Sequence, residues 1–429
     1  MLRDRRSFAA VATAASLSAT RILGANDRVR VGIIGCGGMG TGLWRTFNSQ
    51  PDVDPVAVCD VYDPFRERAA RIPREKPEQF KDWQRLLDRK DIDAVIVATP
   101  DHWHALLTVA ACRAGKDVYV EKPLALTIRE GRKMVDAARE HKRIVQVGAQ
   151  QRSGEHYAEA VRLIREGALG RVHKISAQWV RNMMPGFKPR ELKDGLTSAL
   201  DWDMWLGPAP SVPFDPLRFA YNWRWFWDYS GGQMSNWGAH SLDIARWALG
   251  VAAPDAVAAF GGRFELNDGG QTPDVQEAIY SFPGCVVSWS GREINGVEAL
   301  RPSPGIRPLL EFHGTKGNMV LTREGFQVSP VVWTGDGQDR KTPAMQPLSA
   351  ASGRQGERHV RNFLDCIKSR QLPNEDVEQG HLTAAMCHLG NIAMKVGRTL
   401  RWDPVKEEVI GDPEANRQLS RPYRAPWTL

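Results

Sequence analysis

Hydrophobic positions fall into two textures along the chain. Up to residue 150, short, nearly continuous apolar runs at 29–34, 56–59, 94–98, 118–120 and 144–147 alternate with stretches of helical spacing at 41–48, 83–88, 104–113 and 128–140. Runs apolar at nearly every position suit strands buried on both faces, and strand–helix–strand repetition predicts a parallel sheet with right-handed crossovers. Beyond residue 150 the repetition stops. Residues 157–166 have helical spacing ended by Gly167 and Gly170, 172–180 alternates as a strand, and 181–222, rich in Pro and Gly, predicts a loop. Strand patterns return at 279–282, 286–290, 309–313 and 318–321, the last two joined by the tight hairpin signal Gly314-Thr315-Lys316-Gly317. This predicts an antiparallel sheet. Spacing over 381–400 predicts an amphipathic helix, and the tail 412–429, poor in apolar residues, predicts a wrap over a surface or a partner subunit.

The first apolar run leads into Gly35-Cys36-Gly37-Gly38-Met39-Gly40, which is G-x-G-x-x-G between a strand pattern and a helix pattern. Gly35 allows a sharp turn, Gly37 has no Cβ to hold a pyrophosphate away, and Gly40 lets the helix lie close to the sheet. The helix start offers free N–H groups to phosphate. The next apolar run ends in Asp60, at the distance of about 20 residues where an acid meets the adenosine ribose. These features predict a Rossmann dinucleotide fold over 27–150. Gly35, Gly37, Gly38, Met39, Gly40 and Asp60 are its cofactor-binding candidates, and Asp60 favours NAD over NADP because it would repel a 2′-phosphate.

Composition narrows the picture. The chain has 429 residues, enough for two domains, with ordinary fractions of hydrophobic (42%) and charged (25%) residues. No apolar run is long enough to cross a bilayer as a helix. The net charge of +7 is spread without a basic block, and Arg3, Arg5, Arg6 and Arg21 against Asp4 supply three of those charges, so nucleic-acid binding is not expected. The six cysteines stand singly with no C-x-x-C, and His102 and His104 lack further ligands at useful spacing, so no metal site is expected. Residues 1–26 carry Arg5-Arg6-Ser7-Phe8 followed by a mildly apolar, alanine-rich run. That pattern predicts a twin-arginine (Tat) leader, which exports proteins already folded, with a periplasmic or otherwise exported destination; without it the protein would be cytoplasmic. Asp4 stands where the usual motif has Ser or Thr.

Two loops fall at the C-terminal ends of predicted parallel strands, where ligands bind in open sheets. They are Ala98-Thr99-Pro100-Asp101-His102-Trp103-His104 and Glu121-Lys122-Pro123. With the glycine turn upstream, these stretches resemble the glucose–fructose oxidoreductase and inositol dehydrogenase (Gfo/Idh/MocA) family over essentially the whole chain after the leader. The resemblance implies a second, α+β domain, here 151–429, with a large mostly antiparallel sheet. It also implies that Lys122 contacts both nicotinamide ribose and substrate. Thr99, Pro100, His104, Glu121 and Lys122 join the cofactor-binding candidates, and Gln150-Gln151-Arg152-Ser153 is expected to enter the substrate cleft.

Residues 221–250 are the densest chemical stretch, with helical character over 235–248 and a stop at Gly250. Asn236 and His240 are four apart and share a helix face. The family pattern is D-x-G-x-H-x-x-D. Gly238, His240 and Asp243 match it, but Asn236 replaces the first carboxylate. Oxidising a carbinol requires removal of the hydroxyl proton as hydride leaves, so His240 is the candidate base and Lys122 the electrostatic partner. Asn236 cannot stabilise an imidazolium by charge; either proton removal leans on Lys122 or Asn236 serves substrate choice. Trp223, Trp225 and Trp227 alternate, which in an extended segment puts them on one face for core packing or sugar stacking, with Arg224 pointing the other way.

The sequence therefore predicts an NAD-dependent oxidoreductase of a sugar, glycoside or cyclitol hydroxyl, with retained cofactor if exported, acting as a homo-oligomer. The alternatives are a glycosidase working by transient oxidation and a non-catalytic nucleotide-dependent binder.

Overall fold

The first apolar runs form a parallel sheet. Strands β1 (Val29–Ile34), β2 (Val53–Cys59), β3 (Glu78–Phe80), β4 (Ala94–Val97), β5 (Asp117–Val120) and β6 (Val145–Val147) pair in the order β3-β2-β1-β4-β5-β6. The connecting helices are α1 (Gly38–Asn48), α2 (Asp63–Ala70), α3 (Trp83–Asp88), α4 (His104–Arg113) and α5 (Ile128–Glu140). Numbering runs outward from β1 on one side and from β4 on the other, so a crevice opens beyond the C-terminal ends of these two strands. The computed structural model behind this description covers residues 28–189, 198–294, 309–331, 348–351 and 353–429. The expected leader, 1–26, lies outside the described residues.

α3, α4 and α5 span the predicted residues, and α1 starts at Gly38, earlier than its apolar spacing indicated. α5 begins with a capping box in which Thr127 and Glu130 each bond the other's backbone N–H. Two elements gave no periodic signal. α2 buries only Ala69 and Ala70, and β3 is a three-residue edge strand with Glu78 exposed.

After α6 (Glu155–Arg165) the chain builds a second sheet from β7 (Val172–Val180), β8 (Ala256–Gly262), β9 (Val275–Phe282), β10 (Cys285–Arg292), β11 (Leu309–Gly314), β12 (Gly317–Leu321), β13 (Gly325–Pro330), β14 (Leu348–Ala351), β15 (Leu400–Asp403) and β16 (Glu408–Val409). The order is β14-β13-β12-β11-β7-β10-β9-β8-β15-β16, antiparallel except between β7 and β10. Its inner face packs on α8 (Ala239–Leu249) and α10 (Val377–Val396), through residues such as Tyr280, Val287, Leu242 and Leu389. The predicted loop 181–222 contains a short helix, α7 (Trp202–Leu206), capped by Asp201. The helix expected over 381–400 stops at Gly397, which takes a left-handed conformation with φ 67°, and Leu400 opens β15.

Two later segments return to the first sheet. α9 (Gln355–Ser369) places Val360, Phe363 and Leu364 in one core with Trp44, Phe47 and Tyr119, and its Arg361 donates to Asp52 at 2.7 and 2.9 Å. The tail passes α11 (Pro413–Arg417) and wraps its own chain. Arg421 and Tyr423 donate to Glu130 at 2.8 and 2.6 Å, and the Trp427 ring centroid lies 5.0 Å from that of Trp103 and 6.3 Å from that of Trp83. No helix among the described residues is long and apolar enough to cross a membrane.

Candidate active site

A cavity of about 600 Å³ opens at the crevice between β1 and β4. Its wall includes Gly35, Gly37, Gly38 and Met39 after β1, Asp60 after β2, Thr99 and Pro100 after β4, and Glu121 and Lys122 after β5. The glycines divide their work as the motif implies. Gly35 has φ +93°, and a Cβ there would lie 2.6 Å from the Ala98 carbonyl carbon. A Cβ on Gly40 would lie 2.0 Å from the Gly35 oxygen, so Gly40 sets the approach of α1 to the turn and does not itself line the cavity. At Gly38 a Cβ would meet nothing within 4 Å, and at Gly37 only the Phe65 ring edge, at 3.9 Å. That open backbone at a helix start is the cradle a dinucleotide phosphate needs. Asp60 braces it by accepting from the N–H groups of Cys36 at 2.6 Å and Tyr62 at 2.9 Å. Burial pushes the Asp60 carboxyl up to about 6, against these bonds and the charges of Arg66 and Arg68. Thr99 Oγ1 is buried without a partner at the cavity wall, a polar atom left for a ligand.

The second half of the site is assembled from distant parts of the chain. Lys122 Nζ lies 2.7 Å from Asn236 Oδ1 and 3.3 Å from the Asn236 carbonyl. The Asn236 amide is oriented from behind, because its Nδ2 donates to Gln233 Oε1 at 3.1 Å and Gln233 Nε2 donates to Glu293 at 2.8 Å. Glu293 also accepts from Trp225 Nε1 at 2.6 Å and from Arg181. Burial lowers the Lys122 ammonium to about 8, against the pull of Glu121, with Arg224 and Arg323 pushing the same way as burial. His240 is buried, its Nδ1 has no partner, and its ring lies 5.7 Å from that of Trp237. Burial holds its imidazole well below the usual range, and Lys122 is the foremost charge adding to that depression. Lys122 thus stands on the cavity wall, with Asn236 and His240 beyond it rather than on it.

Local structure departs from expectation at several of these residues. Met234–Gly238 is a wide π turn that precedes α8, rather than part of a uniform helix, and Gly238 leaves room for Trp289 Nε1 and Met234 Sδ, each 3.3 Å from where a Cβ would stand. Asp243 is engaged by Arg152 rather than by His240. Burial would raise its carboxyl, but Arg152, bonded at 2.7 and 2.9 Å, then Arg246 and Thr383, hold it below the ordinary range. Arg152 and Gln151 are buried, and Gln150 donates to Glu121, which lines the cavity, at 3.1 Å. Burial pushes the Glu121 carboxyl up to about 7, with Lys122 opposing.

His104, expected at the cofactor, is instead a strut. Its ring nitrogens lie 2.8 Å from the Pro123 carbonyl and 3.0 Å from the Thr99 carbonyl, which ties the two cavity loops together. Trp223 and Trp225 lie on a 3₁₀ turn, Asn222–Trp225, and both are buried. Arg224 does not point away from them, because its guanidinium stacks 4.2 Å from the Trp223 ring and 4.3 Å from Tyr221, on the cavity wall. Sequence reasoning missed Arg224, Asp101, Gln233, Glu293 and Arg323. Asp101 accepts from Ser230 at 2.6 Å and lines the cavity. Its position in the loop after β4 was the available signal. No group of three or more His, Cys, Asp and Glu among the described residues is arranged to hold a metal.

A Rossmann sheet with an open glycine cradle, joined to a second sheet that brings polar groups to its crevice, defines an NAD-binding oxidoreductase. Comparison with known families agrees. Residues 29–149 match the NAD-binding Rossmann fold of an oxidoreductase family, residues 135–259 and 340–429 match that family's C-terminal alpha/beta domain, and residues 208–320 match the GFO/IDH/MocA C-terminal domain. The chain belongs to the GFO/IDH/MocA family of oxidoreductases. It is 26% identical over 341 residues to levoglucosan dehydrogenase of Pseudarthrobacter phenanthrenivorans, covering 73% of this chain and 79% of that one. It is 23% identical over 385 residues to myo-inositol 2-dehydrogenase of Thermotoga maritima, covering 89% and 100%. A solved levoglucosan dehydrogenase in complex with NADH and levoglucosan shares the fold with a TM-score of 0.65 at 22% identity, over 87% of this chain and 99% of that one.

Proposed function

We propose that the enzyme oxidises a secondary hydroxyl of a sugar, glycoside or cyclitol. The observation that carries the reading is Lys122, whose amine stands on the cavity wall and is held at 2.7 Å by the Asn236 amide from the other half of the molecule. Bound NAD supplies the hydride acceptor. Gly37 and Gly38 would give its pyrophosphate room, Asp60 would take the ribose end, and Thr99, Pro100 and Glu121 would border the remainder. Lys122 accepts the hydroxyl proton, since burial lowers its ammonium to about 8 and so makes the free amine more available near neutrality than on an exposed lysine. His240, buried behind Lys122, stays neutral and leaves the proton to it, because a buried imidazole beside a lysine and without a carboxylate partner resists taking a proton. This moves the role of base from His240, where the sequence suggested it, to Lys122. Asn236 fixes the direction of the lysine amine without adding charge.

Both relatives named above span most of the chain and are dehydrogenases, which favours net oxidation over glycoside cleavage. The test is to incubate purified protein with NAD and a panel including levoglucosan, myo-inositol, hexoses and chromogenic glycosides. Reduced nicotinamide absorbance with at least one polyol is expected. Aglycone release without net reduction would replace this reading with a transient-oxidation glycosidase, and NAD binding with no reduction by any member would reject it.

The leader-like residues 1–26 support export of the folded, NAD-loaded protein. Cell fractionation should find a shortened form outside the cytoplasm, and heat-denatured protein should release nucleotide. A second copy of the chain would cover the outer face of the ten-stranded sheet, where Phe260, Ile279, Val286 and Val320 are exposed. Light scattering that shows a monomer would reject that arrangement.

A further inference from the structure

Two guanidiniums near Lys122 have no acidic partner among the described residues. Arg224 stacks on Tyr221 and Trp223, donates to the Tyr221 carbonyl at 3.1 Å, and lines the cavity. Arg323, just after β12, stacks 4.8 Å from the Trp237 ring, and its Nε is buried with no partner. Neither forms an ion pair with a described residue, whereas the neighbouring Arg181 is paired with Glu293. Arginine keeps its charge at any working pH, and leaving a partly buried guanidinium uncompensated is costly. The charge balance is tilted further by the Asn that stands where the family pattern has a carboxylate, because Lys122 then has an amide in place of an acid. Arg224 shares the cavity wall with Lys122, and Arg323 stacks on Trp237, the residue next to Asn236, whose amide holds Lys122. Unpaired guanidinium charge therefore stands beside Lys122, where Asp101 and Glu121 share the cavity wall, and apart from the start of α1, the candidate cradle for the nucleotide phosphates.

We infer that the substrate is an acidic sugar, whose carboxylate or phosphate oxyanion is bound by Arg224 and Arg323 while its hydroxyl faces Lys122. The planar fork of arginine suits either oxyanion by paired hydrogen bonds. Stacking on Trp223, Tyr221 and Trp237 fixes the two forks before the ligand arrives, so little side-chain freedom is lost on binding. This deepens the proposed oxidation and rests on it.

The test uses full-length protein with NAD and matched substrates: a neutral hexose, the corresponding hexuronate, and the hexose phosphate. At least about tenfold higher kcat/KM for one acidic form is expected, and which one identifies the oxyanion. Arg224→Met and Arg323→Met should each raise KM for that acid about 10- to 100-fold with NAD affinity and the high-pH limit of kcat little changed, and Arg→Lys should recover part of the loss. A turnover-independent readout is the melting temperature of NAD-loaded protein, raised by the hexuronate or the phosphate and not by the neutral hexose, with the rise lost in Arg323→Met. Equal or better use of the neutral hexose would overturn the inference and leave the oxidoreductase reading intact. Loss of NAD affinity with unchanged substrate KM would overturn it too, by assigning Arg224 to the cofactor. If no acid raises the melting temperature, the inference also falls, whatever the enzyme turns over.

Discussion

The nucleotide cradle and the Lys122–Asn236 joint are both polar sites at one crevice, built by opposite means. The cradle is contiguous in sequence, made of backbone, and governed by where a Cβ cannot stand; at Gly40 a Cβ would come 2.0 Å from a carbonyl oxygen. The joint unites residues 114 positions apart, is made of side chains, and depends on a relay from Lys122 through Asn236 and Gln233 to Glu293. On the proposed reading the cradle sets whether a dinucleotide binds, and the joint sets whether a proton moves. Breaking one should leave the other's function measurable.

The largest effect should come from the cradle. Gly40→Ala forces α1 from its turn, so NAD affinity should drop by about 100-fold or more, or the protein should fail to fold; nucleotide titration and thermal melting separate the two. Normal affinity would show that the close approach is dispensable. Next, Lys122→Met should fold and bind NAD within a few-fold of wild type, yet lose about 100- to 1,000-fold in kcat. If its NAD affinity collapses instead, the division between cradle and joint is wrong.

Asn236→Asp should act more gently. A carboxylate beside Lys122 favours the ammonium, so the rising limb of the pH–rate profile should move to higher pH by about one unit, and kcat/KM near neutrality should fall correspondingly. An unmoved limb would remove Lys122 from the titration. Smallest is Asp52→Asn, at the seam between α9 and the first sheet. Burial opposes the Asp52 charge, but the bonds from Arg361 and Lys368 win and lower its carboxyl to about 2, below its ordinary 3.8. Its contribution to stability is thus complete above the unfolded value and lost as pH falls through the folded one. Discounted for the part-exposed cations, it should amount to about 1–2 kcal/mol at neutral pH, with kcat unchanged. Equal denaturant midpoints at neutral pH would show that the seam adds nothing.

The same contrast between local and long-range construction decides what is legible in the chain. β1 is legible as a nearly continuous apolar run, α3, α4 and α5 by apolar positions at helical spacing, and the glycine turn because Gly35 and Gly40 answer short-range steric demands. Asp60 is legible because its distance from the turn is set by one βαβ unit. His104 misleads because a histidine in a ligand-facing loop looks identical in sequence whether its ring faces the ligand or braces the loop. Arg224 is misplaced by its alternating tryptophans, which imply extended backbone, whereas Asn222–Trp225 closes into a 3₁₀ turn that brings neighbouring side chains together. The Gln233–Glu293 link, α9 on the first sheet and the tail on Glu130 are long-range contacts without local pattern.

The most direct measurement is the pH dependence of kcat/KM for wild type, Lys122→Met and His240→Asn on one oxidised substrate. With Lys122 as proton acceptor, wild type should show activity rising through an inflection at about 8. That inflection should vanish in Lys122→Met and persist, at lower rate, in His240→Asn. An inflection that survives in Lys122→Met and disappears in His240→Asn would assign proton transfer to the histidine and contradict Lys122 as the base.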